Sequence, residues 1–177
     1  MIMSCGMASP DEIQDAVDAC RSAGNNQIVL LKCCSEYPAN WEDMHLGSIP
    51  DMRNIFGLHV GLSDHSFGSL GAVVAVVLGA RVIEKHIMID GVTSADSGFS
   101  MNTEDFTRMV DDARNAVVIS RGSDYSLSPK EKSSTIFRRS LFAVKNSDEI
   151  SAENVRSIRP SNGINPKFLK SMLGRKL

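Results

Sequence analysis

The sequence predicts an α/β fold built on parallel strands. Three observations carry that prediction. Strand-like and helix-like segments alternate four times between Met1 and Val117. Gln27 to Cys33 (QIVLLKC) is a continuous apolar run with a late lysine, the pattern of a strand buried on both faces. Polar residues gather directly after each strand-like segment, where parallel βα architectures place their chemistry. Repeated βα units imply parallel strands with right-handed crossovers. Four such units fit an open sheet or half of an eightfold barrel, and periodicity does not choose between them.

Each element has its own signal. Met1 to Ser4 reads as a short strand. Ser9-Pro10-Asp11-Glu12 forms a capping box, with Ser9 at N-cap, Pro10 at N1 and Glu12 at N3. The helix begun there carries Ile13, Ala16, Val17 and Cys20 at helical spacing and stops at Gly24. After the strand Gln27 to Cys33, a loop with Pro38 and Trp41 leads to a short helix near Ile49 to Phe56. His59 to Leu62 is a third strand, Gly68 to Leu78 a small-residue helix, and Arg81 to His86 a fourth strand. Asn102 starts a helix with Phe106, Met109, Val110, Ala113 and Val117 on one stripe.

The pattern then changes. Ser120 to Ser134 is polar, carries Gly122 and Pro129, and reads as a linker. Arg139 to Val144 and Val155 to Ile158 read as strands, with a turn and short helix over Asp148 to Val155. Beyond Ile158, regular structure is broken by Pro160, Gly163 and Pro166. So small a module cannot bury much core alone.

Composition narrows the function. Hydrophobic residues make up 42% of the 177, enough for a core, and the formal net charge of -2 gives no electrostatic reason to bind nucleic acid or an anionic membrane. The longest apolar run, Ala72 to Ala80, is too short to span a bilayer, and Met1 to Pro10 lacks the shape of a signal peptide. The expectation is a cytoplasmic protein. Cys5, Cys20, Cys33 and Cys34 form no CxxC pair, and the adjacent Cys33 and Cys34 point to opposite faces of a strand. They read as reduced, packed thiols.

His65 and His86 stand at the ends of consecutive strands, which lie about 4.8 Å apart in a parallel sheet. Two imidazoles there can reach one divalent ion and leave positions open for water and substrate. The plainer alternative is that each bonds backbone at its strand end. A nearby carboxylate in each case, Asp64 or Glu84, favours the metal. Glu84 and His86 share a face while Lys85 takes the other. Glu84 is therefore placed to orient a ligand or take a proton, or to sit in a structural ion pair. Tyr37 and Ser35 share a face by the same alternation and can bond a polyol, although Tyr37 could instead pack on Pro38. His45 and His59 lack any such setting.

KCCSEYPA, GLSDHS, VIEKH, ADSGFSM and ENVRSIRPSNG occur in the order found in sialic acid synthases, and the whole chain resembles the C-terminal part of that family. FRRSLFAVK and the preceding YSLSPKEKS most resemble the pseudaminic acid synthase branch, with the neuraminic and legionaminic acid synthases close beside it. The resemblance implies the second half of a (β/α)8 TIM barrel over residues 1–119, a linker over 120–133 and a partial antifreeze-like (SAF) domain over 134–177. It implies a homodimer in which the antifreeze-like domain is swapped onto the partner's barrel mouth. It also implies a transferase that condenses phosphoenolpyruvate with an N-acetylated amino sugar, using Mn2+ or Mg2+.

Residue by residue, His65 and His86 match the family's metal ligands, and Glu84 and Asp96 match acidic groups near metal and sugar. Ser4, Ser35 and Ser63 match positions near phosphoenolpyruvate, Tyr37 a sugar contact, and Arg159 the arginine that reaches the sugar's acyl group from the partner subunit. Two matches are imperfect: Ser94-Ala95 stand before Asp96 where the family has Gly-Pro, and Ile87-Met88 come after His86 where it often has Phe-Thr. The family's first four strands and their phosphate-binding lysines have no counterpart here. The expectation is a truncated chain, inactive alone, with a non-catalytic remnant or another metal-dependent aldolase as alternatives.

Overall fold

A computed structural model describes residues 1–176, which divide into two compact units, one over 1–122 and the other from 123 onward. The first unit holds four strands, β1 (Ile2–Ser4), β2 (Val29–Cys33), β3 (His59–Asp64) and β4 (Ile83–Lys85). They form one parallel sheet in sequential order. A helix comes after each strand: α1 (Pro10–Ser22), α2 (Ser48–Phe56), α3 (Leu70–Val77) and α4 (Thr103–Ile119). Sequential order with helical crossovers is the topology of a half-barrel sheet.

Local chemistry accounts for the helix boundaries. The Ser9 N–H donates to Glu12 Oε2 at 2.7 Å, and the Glu12 N–H to Ser9 Oγ at 3.3 Å, closing the capping box of α1. Gly57 ends α2 at φ 64°, a left-handed conformation that side chains resist. Asn102 caps α4 by accepting from the Asp105 N–H at 2.7 Å.

Strand alternation divides the sheet into two faces. Leu30, Val60 and Leu62 face the helices and pack with Ile13, Val17, Ile49, Met52 and Phe56 in the main core. The opposite face carries Leu31, Cys33, Gly61, Ser63 and Glu84. Gly61 is required there: a Cβ would strike the Val82 carbonyl oxygen and lie 2.7 Å from Leu31 Cδ2. Several elements differ at their ends from the sequence expectation. β3 runs on to Asp64, β2 starts at Val29, β4 covers only Ile83–Lys85, and α3 is trimmed to Leu70–Val77. On α4, Ala116 is buried and Val117 is 41% exposed, so the apolar stripe is turned by one residue at its end.

The second unit pairs β5 (Ser140–Ala143) with β6 (Val155–Ile158) in an antiparallel ribbon. The expected linker is not featureless: α5 (Pro129–Ser134) lies in it, started by a second capping box between Ser128 and Glu131. The expected helix over Asp148 to Val155 does not form. Asn154 accepts from the Ser151 N–H at 2.8 Å and donates to the Glu149 carbonyl at 2.7 Å, and this side-chain bonding holds a turn instead. A short helix, α6 (Leu169–Met172), lies near the end of the unit. No described helix is long and apolar enough to cross a membrane.

Candidate active site

The C-terminal ends of β2, β3 and β4 bring four aromatic rings together. His65 and His86 lie with ring centroids 5.3 Å apart. Tyr37, from the loop after β2, stacks on His65 at 4.1 Å and meets His86 edge-on at 5.9 Å. Phe99, from the loop after β4, lies 5.0 Å from His86 and 5.3 Å from Tyr37. Tyr37 is 52% exposed, so it borders solvent while bearing on the pair.

The two histidines are held differently. His65 is buried, and its Nδ1 lies 2.9 Å from the Cys34 carbonyl oxygen. A carbonyl only accepts, so Nδ1 carries the proton and Nε2 presents its lone pair. His86 is half-buried, with Nδ1 3.6 Å from Asp96 Oδ2. The Met101 N–H donates to the His86 carbonyl at 3.0 Å, pinning the foot of the loop that carries Asp96 and Phe99. A backbone carbonyl bonded to one imidazole and a carboxylate 3.6 Å from the other resemble the outer partners found around metal-binding histidines in general.

These features fit a divalent ion held by two protein ligands. Two imidazoles bound at ~2.1 Å to a single ion bring their rings to about the observed separation. Among the described residues no cluster of three or more His, Cys, Asp and Glu side chains is spaced for a metal, so any site here is open and completed by other ligands.

Beneath the histidines, Cys33, Ser63 and Glu84 are register neighbours across β2, β3 and β4. Ser63 Oγ donates to Glu84 Oε1 at 2.7 Å. Cys33 Sγ lies 3.7 Å from Ser35 Oγ and 3.9 Å from His65 Nδ1. Gly6, after β1, passes so close to Ser35 that a Cβ would collide with its hydroxyl. Ser4 is exposed at the end of β1, the strand next to β2. His65, His86, Glu84, Asp96, Tyr37, Ser35 and Ser63 thus fall in one neighbourhood, with Ser4 at its edge. Arg159 lies in the second unit, exposed just past β6.

Cys33 and Phe99 join the site without having stood out in the sequence. Cys33 is two residues from Ser35 and so shares its face, which is a usable signal. Phe99 lies inside the motif ADSGFSM, but only the loop's path shows that it reaches Tyr37 and His86. Burial raises the thiol pKa of both Cys5 and Cys34, which disfavours the thiolate needed for metal binding.

A half-barrel α/β sheet with paired imidazoles and a carboxylate on its C-terminal rim defines the class: a parallel α/β protein with a candidate site at its strand ends. The NeuB family matches residues 1–124, and the chain belongs to that family. It is similar to the pseudaminic acid synthase of Campylobacter jejuni, with 43% identity over 99% of this chain and 52% of that protein. Against the pseudaminic acid synthase of Helicobacter pylori the identity is 39%, over 99% of this chain and 53% of the relative. Among solved structures it is similar to the spore coat polysaccharide biosynthesis protein SpsE of Bacillus subtilis. That match has a TM-score of 0.64 and 28% identity, covering 99% of this chain and 56% of the other. The chain spans about half the length of the curated relatives it matches.

Proposed function

We propose that the rim of this sheet acts in the condensation of phosphoenolpyruvate with an open-chain N-acetylated amino sugar, with pseudaminic acid as the product. The observation that carries the reading is the His65–His86 pair standing directly above Glu84, in a NeuB-family chain whose relatives at 39% and 43% identity are pseudaminic acid synthases. In this reaction C3 of phosphoenolpyruvate bonds to the sugar's aldehyde carbon. Water adds at C2, and the C2–O bond to phosphate breaks.

His65, through Nε2, and His86 are the residues that would hold Mn2+ or Mg2+. The ion's contribution when bound is Lewis-acid polarisation of the aldehyde. Asp96 orients His86 through Nδ1. Glu84 has Oε1 engaged by Ser63, which leaves Oε2 to take the proton of the water that adds at C2. The hydroxyls of Ser4 and Ser35 donate to phosphoenolpyruvate, and Ser63, whose proton goes to Glu84 Oε1, lies beside it. Tyr37 bonds the sugar, and its ring with that of Phe99 limits water around the histidines.

Residues 134–177 are assigned in the same reading to a partial antifreeze-like (SAF) domain. Arg159 there meets the sugar's acyl group in the partner subunit of a domain-swapped homodimer, and the enzyme is cytoplasmic. A second reading, a non-catalytic chain that pairs with a synthase, draws on the anion's needs. The rim side chains on the site face (Ser4, Cys33, Ser35, Ser63, His65, Glu84 and His86) include no lysine or arginine for a multiply charged phosphate ester.

The test is phosphate release with Mn2+ and phosphoenolpyruvate by this chain fused behind the N-terminal half of the Campylobacter jejuni relative. 2,4-Diacetamido-2,4,6-trideoxyaltrose is compared with other N-acetylated hexosamines. Turnover with the trideoxyaltrose supports the proposal. Turnover only with another sugar moves the product to a sister nonulosonic acid, and a folded, inactive fusion favours the non-catalytic reading.

A further inference from the structure

Both histidines of the pair come directly after a charged residue, Asp64 before His65 and Lys85 before His86. Alternation sends these charges to the helix side of the sheet, behind the imidazoles. There Lys85 Nζ meets Asp64 Oδ2 at 2.9 Å, with side-chain exposures of 1% and 0%. Asp64 Oδ1 accepts from the Ser66 N–H at 2.9 Å and from Ser66 Oγ at 2.7 Å. Lys85 Nζ also donates to the Ser66 carbonyl. Gly71, in the first turn of α3, closes over the network: a Cβ there would sit 3.1 Å from both Asp64 Oδ2 and Ser66 Oγ.

We propose that the buried Asp64–Lys85 ion pair is a positioning device that sets the spacing and aim of the His65–His86 pair. Asp64 and Lys85 are the last register partners of β3 and β4. His65 and His86 lie one residue beyond, where ladder bonds no longer fix the distance between the two strands. The ion pair ties the strand ends at that point. His65 is also clamped on both sides, by Asp64 before it and by Ser66, whose N–H, hydroxyl and carbonyl all join the pair. Stability alone is a poor explanation for this arrangement. Burying two charges costs about as much as their attraction returns, and apolar replacements of similar volume are often neutral or stabilising. A fully satisfied polar network does select one geometry over its neighbours.

The inference rests on the reading of His65 and His86 as the metal-holding pair, so one readout is independent of metal. The decisive variant is Asp64→Asn/Lys85→Met, which removes the bridge without stranding a buried charge; Lys85→Met alone strands Asp64. The measurements on the 177-residue chain are the melting temperature, the NMR cross-relaxation between the two imidazoles, and the Mn2+ dissociation constant by electron paramagnetic resonance. The double variant is expected to melt within a few degrees of the parent, to lose the ring-to-ring cross-peak, and to bind Mn2+ at least tenfold more weakly. An intact cross-peak overturns the proposal, and so does a double variant that fails to fold, because the pair would then be structural. A parent that shows the cross-peak but binds no Mn2+ refutes the metal reading, and the cross-peak in the double variant still decides the positioning role.

Discussion

Ser63 Oγ donates a 2.7 Å hydrogen bond to Glu84 Oε1 between register partners on β3 and β4. Ser63 is buried while Glu84 is exposed, so the carboxylate can rehydrate if the hydroxyl is lost. Ser63→Ala should therefore cost only about 1 kcal/mol in urea unfolding. Glu84→Gln keeps an acceptor for Ser63 and should leave stability nearly unchanged. It should abolish turnover in the fusion with a synthase N-terminal half, because the amide cannot take a proton. Equal turnover by Glu84→Gln would remove Glu84 from the proton-transfer role.

Metal binding should separate the histidines. His65→Ala and His86→Ala should each abolish Mn2+ binding. His45→Ala, altering an exposed loop residue, should leave it intact. Asp96→Asn should weaken binding by about 10–100-fold, the usual effect of an outer partner. Equilibrium dialysis against Mn2+ checks all four, and indistinguishable binding by the histidine variants would refute the assignment.

Gly61 tests the packing of the site-facing side of the sheet. The oxygen that a Cβ would strike belongs to the Val82 backbone and cannot swing aside. Gly61→Ala should destabilise the fold by about 1–3 kcal/mol. A thermal melt matching the parent would show that β3 and β4 are looser than their register implies.

The capping boxes set an acid limit. The Ser9 N–H and then its hydroxyl hold the Glu12 carboxyl below its ordinary pKa, and the Ser128 hydroxyl and N–H do the same for Glu131. A depressed folded-state pKa gives stability that is present above the unfolded value of about 4.3 and is lost as pH falls through the folded value. Helicity measured by circular dichroism should drop over that window, and Glu12→Gln should flatten the part owed to α1. A profile unchanged by Glu12→Gln would contradict the linkage.

Much of the first unit is legible in the sequence because its signals are local. The Ser9–Glu12 box, the run QIVLLKC and the positions of His65 and His86 depend on short spacings that alternation and helical periodicity decode. Helix α5 is hidden although Ser128-Pro129-Lys130-Glu131 repeats the pattern of Ser9 to Glu12, because its polar setting reads as linker. The turn at Asn154 reads as a helix because periodicity does not show a side chain bonding the backbone in the helix's place. Phe99 is out of reach because its contacts with Tyr37 and His86 depend on where a long loop returns.

The central claim is that this rim condenses phosphoenolpyruvate with a sugar aldehyde by breaking the C2–O bond. It is tested most directly by supplying the fusion protein with phosphoenolpyruvate carrying oxygen-18 in the bridging position, together with Mn2+ and 2,4-diacetamido-2,4,6-trideoxyaltrose. Mass spectrometry then reads the released phosphate. The account predicts that the label leaves with phosphate, that release requires the sugar, and that His65→Ala or Glu84→Gln abolishes it. Label retained on the carbon product would indicate cleavage of the P–O bond, as in an enolate-forming aldolase, and would contradict the account.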